Sequence, residues 1–154
     1  MHALLQTLPD LAPEAREAAA RRFVARAQHA LSLEAQEESV CETLAVLAAP
    51  ESSFLFGPGS RAEVPLVGRI DDQVVSGQID RLAIAGDVVN IVDFKSNRPA
   101  PATVNDVPAV YLRQMALYRA ALARIYPAKR IECYLLWTEG PRLMPLPSAL
   151  LSSP

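Results

Sequence analysis

The 154-residue sequence contains few cysteines and no long apolar run. Its two cysteines, Cys41 and Cys133, stand far apart and outside any C-x-x-C spacing. This argues against a zinc site or a four-cysteine iron–sulfur cluster. No apolar run approaches the ~20 residues that span a bilayer, and the first residues show no secretory signal. We therefore expect a cytoplasmic protein with reduced thiols and no membrane association.

An excess of basic residues is also missing. Fifteen Lys and Arg residues against 17 Asp and Glu residues give a net charge of −2, whereas a stand-alone nucleic-acid binder usually has a basic surface. Either nucleic acid is not the partner, or other protein surface holds it while this chain acts on it. The P-loop pattern G-x-x-x-x-G-K-[ST] is absent too, so we expect no ATP site in this chain.

The residues that are present fit one soluble globular domain. Hydrophobic residues make up 51% and charged residues 21% of the chain, and this length can bury a core. We predict a single domain over 1–154, with an N-terminal helical segment over 1–50 and an α/β catalytic core over 51–154. The predicted helices cover about 14–30, 33–48 and 107–125, and the predicted strands cover about 62–67, 73–84, 88–94, 131–137 and 142–146. This order indicates an α/β (α+β) fold with a mixed central sheet flanked by helices.

Two of these strands bring acidic residues together. If Gly86 and Asp87 form a two-residue type II′ turn, facing residues have numbers that sum to 173. Asp80 then faces Asp93, and Lys95 projects on the same face as Asp93 because strands alternate sides. Two carboxylates this close repel each other unless a cation or a proton lies between them. The hairpin therefore predicts a site for Mg²⁺ or Mn²⁺, both of which prefer hard oxygen ligands.

A structural explanation of the same residues stays open at this point. An isolated D-x-K is common at exposed strand ends, and Asp80 with Arg81 can be an ordinary solvated pair. The register also depends on the turn, since a slip of one residue would move Asp80 to the other face.

Three motifs in order carry a family resemblance: G-x-x-D (Gly77 to Asp80), hydrophobic-D-x-K (Val92 to Lys95) and Q-x-x-x-Y (Gln114 to Tyr118). The series resembles the RecB-type nuclease domain, a branch of the PD-(D/E)xK or restriction-endonuclease-like superfamily. Spacing and flanking sequence look most like the C-terminal nuclease domain of AddA, the helicase–nuclease subunit of bacterial AddAB. The resemblance runs across essentially the whole chain.

The resemblance implies roles for matching residues. Asp80 and Asp93 would be metal ligands, together with the main-chain carbonyl of Phe94, and Lys95 would be the catalytic lysine. His2 stands before Leu4-Leu5 as the family's metal-binding histidine does, although the glycine of its G-x-x-x-H context is absent. We expect the chain to be a fragment of a larger helicase–nuclease.

The third motif would lie beside the active site. Gln114 and Tyr118 are four residues apart and so share one helix face, where the family uses them to position catalytic groups and DNA. The alternative is that Tyr118 is half-buried core with Gln114 at its rim. Arg113 is a candidate DNA contact, although a solvated helix face also explains it. Glu63 stands where relatives often carry an acidic residue before the motif hairpin.

The resemblance implies a Mg²⁺-dependent deoxyribonuclease of the exonuclease type, in which Mn²⁺ substitutes and no iron–sulfur cluster is present. Its substrate would be single-stranded DNA from a helicase during double-strand break repair and recombination in the bacterial cytoplasm. The expected partners are DNA, the remainder of the AddA helicase and the AddB subunit. Two alternatives are a catalytically silent scaffold of the same fold and an unrelated α+β interaction domain whose acids are solvated.

Overall fold

The computed structural model describes residues 1–26, 29–70 and 73–151. The N-terminal segment is helical, as predicted, and contains α1 (His2–Thr7), α2 (Pro13–Val24) and α3 (Leu33–Ala48). Helix α2 ends at Val24, earlier than the predicted end near residue 30. Ser32 caps α3 as predicted, since its hydroxyl accepts the Ala35 N–H at 3.2 Å.

The second part of the chain forms a mixed sheet. Its strands are β1 (Ser60–Ile70), β2 (Gln73–Ala85), β3 (Val88–Lys95), β4 (Arg130–Trp137) and β5 (Arg142–Leu146). Their order is β1-β2-β3-β4-β5, and all neighbours are antiparallel except the parallel pair β3–β4. The connection between the two parallel strands contains helix α4 (Ala109–Ile125), because parallel neighbours need a long crossover. The predicted mixed-sheet fold is confirmed.

Short 3₁₀ turns complete the described chain at Leu8–Asp10, Pro50–Leu55, Val104–Asp106 and Ser148–Leu151. No helix in the described ranges is long and apolar enough to cross a membrane.

Helices cover both faces of the sheet. Alternate residues of β3 show this, because Val92 and Phe94 pack in one cluster with Leu5 of α1 and Leu55 of the 3₁₀ turn after α3. We call the stretch from α1 to this turn the N-terminal part. Neighbouring residues of the same strand pack in a second cluster, which includes α4: its members include Val89, Ile91, Leu135, Met115 and Leu122. The central strand β3 is therefore buried on both sides, and its end at Asp93 and Lys95 is held by packing.

Candidate active site

The predicted register of the β2–β3 hairpin is confirmed. Ala85 pairs with Val88 across a turn in which Gly86 has φ +57°, a conformation that costs glycine little. Every pair from there to Arg81 with Val92 has numbers that sum to 173. The next pair in this register would be Asp80 with Asp93, but the ladder of paired residues ends at Arg81 and Val92.

The Asp80 carboxylate occupies the opening at the end of this ladder. Its Oδ2 accepts the backbone N–H of Phe94 at 2.6 Å. Because the N–H and C=O of one strand residue point to the same neighbouring strand, the Phe94 carbonyl also points towards this opening. Asp80 and Asp93 are therefore not a simple pair of facing side chains. The Asp80 carboxylate instead accepts the Phe94 N–H that a backbone carbonyl of β2 would otherwise accept.

Strand β2 changes its packing direction close to Asp80. The backbone of Gly77 lies against Tyr118 of α4, whereas the side chain of Arg81 contacts the Leu55 carbonyl of the N-terminal part. In a regular strand these residues, four apart, would face the same side. The change of face brings Asp80 to the boundary between the two helical layers.

Glu63 lies at the corresponding position of β1. The β1–β2 pairing skips it between Ala62 with Arg81 and Val64 with Ile79, so it stands opposite Asp80. Its φ of +52° departs from extended backbone, and such local distortions often re-aim side chains near functional sites. The carboxylate of Glu63 acts electrostatically on Asp80, which agrees with the expectation that an acid on this strand lies near the motif hairpin.

Asp93 and Lys95 form a nearly buried ion pair. Asp93 is 5% exposed, and its Oδ2 lies 2.6 Å from Lys95 Nζ. Among the described residues this oxygen has no hydrogen-bond partner. The Lys95 ammonium is close enough to donate to it, but the angle of the contact is not that of a hydrogen bond. A buried carboxylate oxygen in this state can still accept a cation.

The electrostatic environment of Asp80 favours its neutral form. Burial is the largest cause and raises the pKa of this carboxyl above its usual value, and the negative charges of Asp93 and Glu63 raise it further. The Phe94 N–H and the charge of His2 act in the opposite direction. A carboxylate with this surplus of negative charge nearby would be stabilised by a metal cation.

Helix α1 brings His2 to the same opening. Its Nδ1 lies 4.0 Å from Asp80 Oδ1, with the His2 side chain 46% exposed. The imidazole also meets the Phe94 ring edge-on, at 5.7 Å between ring centroids. The structure therefore places the predicted histidine beside the predicted acid, at a distance longer than a hydrogen bond.

Gln114 and Tyr118 of α4 lie together behind β2. The Gln114 amide donates to the Tyr118 hydroxyl at 3.1 Å, and the ring of Tyr118 contacts Gly77 of the first motif. Arg113, the predicted DNA contact, is exposed and lines a shallow groove with Val74 and Val110. This groove runs beside Gln114 and Tyr118.

Two residues of this region were missed in the sequence. Arg81 is 3% exposed and donates to the Leu55 carbonyl at 3.1 Å and to Ser60 Oγ at 2.8 Å, so it is not a solvated partner of Asp80. Tyr111 places its ring 3.8 Å from Lys95 Nζ. The sequence offered a signal for Tyr111 alone, since it precedes Gln114 by three residues on the same helix face.

The available ligands fit a hard divalent cation but do not form a preformed cage. In the described part of the chain, no group of three or more His, Cys, Asp and Glu side chains is arranged to hold a metal. The candidate donors are the carboxylates of Asp80 and Asp93, which interact electrostatically, and the Phe94 main-chain carbonyl. Oxygen donors with few protein ligands suit Mg²⁺, which usually keeps several of its waters.

An α+β fold with a mixed sheet and paired acids at the end of a central hairpin defines a restriction-endonuclease-like protein. The chain belongs to the PD-(D/E)XK nuclease superfamily, whose family model matches residues 1–143. This membership supports a nuclease and excludes the alternative of an unrelated interaction domain.

The fold is also similar to solved structures. A crystal structure described as a “putative exonuclease” from Eubacterium rectale superposes with a TM-score of 0.59 and 12% identity. The match covers 90% of this chain and 59% of the other, so the chain spans about three-fifths of that protein. A second solved structure is 14% identical over 97% of this chain and 69% of its own, but its TM-score of 0.40 supports no argument. No curated protein matches the chain in sequence.

Proposed function

We propose that this chain is the nuclease domain of an AddA-type helicase–nuclease and hydrolyses phosphodiester bonds of DNA with Mg²⁺. The observation that carries the proposal is the buried Asp93–Lys95 pair beside the Asp80 carboxylate, at the place where β2 and β3 separate. A structural ion pair would not need a second, partly buried carboxylate next to it, because each added negative charge costs free energy.

The residues around the Asp80 carboxylate would have two separate roles, metal binding and stabilisation of negative charge. Asp80, Asp93 and the Phe94 carbonyl would hold the metal, with His2 at the rim. A bound Mg²⁺ would supply Lewis acidity and lower the pKa of a coordinated water. The Lys95 side chain is 12% exposed. Its ammonium would therefore stabilise negative charge on the phosphate in a site with little screening water.

The substrate and partners follow from charge and resemblance. A net charge of −2 is unfavourable for independent binding of a polyanion, which fits a domain that receives single-stranded DNA from a motor. We infer an exonuclease-type activity in double-strand break repair and recombination, with the AddA helicase and the AddB subunit as partners in the bacterial cytoplasm. Arg113 and Gln114 would contact the strand, whereas Tyr118, which is 7% exposed and packs in the core, would support Gln114 rather than meet DNA itself.

The first experiment is a calorimetric titration of Mn²⁺ into the parent chain and three variants. Asp93→Ala removes a ligand and should abolish binding, whereas Lys95→Ala removes a charge that repels the cation and should retain binding. Asp87→Ala, which removes an exposed acid from the turn of the same hairpin, is the matched control and should bind as the parent does. Equal loss of binding in the Asp93 and Lys95 variants would contradict the division of roles.

Cutting is then measured on end-labelled single-stranded DNA with Mg²⁺. The parent and Asp87→Ala should degrade the strand, while Asp93→Ala and Lys95→Ala should not. Metal binding without cutting by the parent, even when fused to its helicase, would instead favour the silent scaffold.

A further inference from the structure

We propose that Tyr111 is a positioning residue that holds the Lys95 ammonium beside Asp93. The inference rests on the proposed nuclease function for its catalytic consequence, but the contact itself does not depend on activity. Tyr111 lies outside the three sequence motifs, in the first turn of α4, and approaches the site from the face opposite to the N-terminal helices.

The contact between the two side chains is close. Lys95 Nζ lies 3.8 Å from the centroid of the Tyr111 ring, within the range of a cation–π interaction. On its other side the same ammonium lies 2.6 Å from Asp93 Oδ2. The Lys95 side chain is 12% exposed, and attraction to a ring face is stronger where water is largely excluded.

Tyr111 is itself fixed in this position. Its hydroxyl donates to Asn97 Oδ1 at 2.9 Å, and its ring centroid lies 6.3 Å from that of Trp137. Trp137 is 1% exposed, so it provides a rigid support. The backbone N–H of Tyr111 donates to the Pro108 carbonyl at 2.9 Å, which fixes the start of the helix.

The main chain of Lys95 is fixed as well, because its carbonyl accepts the Thr138 N–H at 3.0 Å. What remains free is the four-carbon stem of the lysine, which has many rotamers and loses entropy when it is held in one of them. An ion pair alone sets a distance from Asp93 but leaves the direction open. The ring of Tyr111 restricts this freedom and, under the proposed function, would hold the ammonium where it can meet the phosphate.

The contact can be measured without any activity, because Lys95 and Lys129 are the two lysines of the chain. In protein labelled with ¹³C-lysine, the ε-methylene protons of Lys95 should be shifted upfield by the Tyr111 ring, with Lys129 as an internal reference. Tyr111→Phe keeps the ring and should keep the shift. Tyr111→Leu should bring the signal close to that of Lys129. Tyr126→Leu, which removes a tyrosine just beyond the other end of α4, is the control and should leave both signals unchanged.

Kinetics on single-stranded DNA then tests the consequence. Tyr111→Leu should lower kcat about tenfold, equivalent to about 1.4 kcal/mol. The KM and the affinity for Mn²⁺ should each change by less than about threefold. Tyr111→Phe should stay close to the parent in kcat. This split separates positioning of Lys95 from general damage to the fold.

Two results would overturn the proposal. One is a Lys95 signal without an upfield shift in the parent, which needs no variant to fold. The other is an unchanged Lys95 shift, or an unchanged kcat, in a folded Tyr111→Leu protein. A parent that shows the shift but neither binds Mn²⁺ nor cuts DNA would refute the nuclease function, while the contact between the ring and the lysine would stand.

Discussion

Gly77 and Tyr118 are packed so closely that no other residue fits at position 77 without movement. A Cβ added to Gly77 would lie 2.4 Å from the Tyr118 hydroxyl oxygen and 2.7 Å from its Cε1 atom. These two residues belong to different sequence motifs, and the contact joins β2 to α4 next to Asp80. The glycine of G-x-x-D therefore provides room for the tyrosine of Q-x-x-x-Y.

This contact predicts a coupled effect on stability. Gly77→Ala should lower the free energy of unfolding by about 2 kcal/mol, since inserted atoms in a packed region typically cost about 1–3 kcal/mol. Gly68→Ala is the matched control, because its Cβ would lie 4.0 Å from the Ala121 Cβ in ordinary contact. In a Tyr118→Ala background the cost of Gly77→Ala should largely vanish. Urea denaturation of the double-mutant cycle measures this, and equal costs in both backgrounds would contradict it.

A second prediction concerns Arg81, which ties β2 to the N-terminal part of the chain. Its guanidinium donates to the Leu55 carbonyl and Ser60 Oγ, and more distantly at 3.5 Å to the Leu5 carbonyl. Arg81→Ala should lower the free energy of unfolding by about 3 kcal/mol, because it leaves several buried acceptors without donors. Arg21→Ala, which removes two exposed ion pairs, with Glu17 of α2 and Glu37 of α3, should have a much smaller effect in the same urea titration. Similar losses in the two variants would contradict the assigned role of Arg81.

The hairpin register could be predicted from the sequence because its determinants are local. A glycine at the first turn position favours a two-residue turn, and this turn sets every strand pair that follows it. The helix α3 was predictable for a similar reason, since Ser32 and Pro50 mark its limits. Such features depend on residues a few positions apart.

The change of face in β2 could not be predicted in this way. Regular alternation would place Gly77 and Arg81 on the same side, and only the packing of α4 and the N-terminal part on opposite faces of the sheet reveals the break. Glu63 has a positive φ that its residue type does not favour. The spacing of Tyr111 from Gln114 indicates a shared helix face, but its contact with Lys95 joins the crossover helix to β3 and is not specified by any local pattern. The roles of the predicted site residues themselves stay predictions until metal binding is measured.

Thiol reactivity should distinguish the two cysteines. Burial in β4 raises the pKa of Cys133 to about 12. Cys41 is exposed on α3, although its hydrogen bond with Glu37 also raises its pKa. At pH 8 a disulfide reagent should therefore modify one thiol of the folded protein quickly and the second only upon unfolding. Cys41→Ser should remove the fast reaction and Cys133→Ser should leave it intact. Two equivalents that react at similar rates in the folded protein would contradict the burial of Cys133.

The raised pKa of Asp80 predicts a pH-dependent gain of stability when its charge is removed. Burial, Asp93 and Glu63 all favour the neutral acid in the fold, so its folded pKa lies above the unfolded one. The protonated acid stabilises the fold fully at pH values below the unfolded pKa. This stabilisation is lost as the pH rises through the folded pKa. Asp80→Asn keeps an oxygen that can accept the Phe94 N–H. The metal-free variant should therefore be more stable than the parent at pH 7.

Urea titrations in EDTA at pH 7 and near pH 3.5 test this prediction for Asp80→Asn. The advantage of the variant should shrink towards zero at the lower pH, because the parent acid is then protonated as well. Asp87→Asn, an exposed acid in the turn, should show little difference from the parent at either pH. With Mn²⁺ the order should reverse at pH 7, since bound metal stabilises the parent by mass action and the variant lacks the charge to hold it. A variant that is less stable than the metal-free parent at pH 7 would contradict the prediction, because it would mean that the Asp80 carboxylate stabilises the fold without a bound cation.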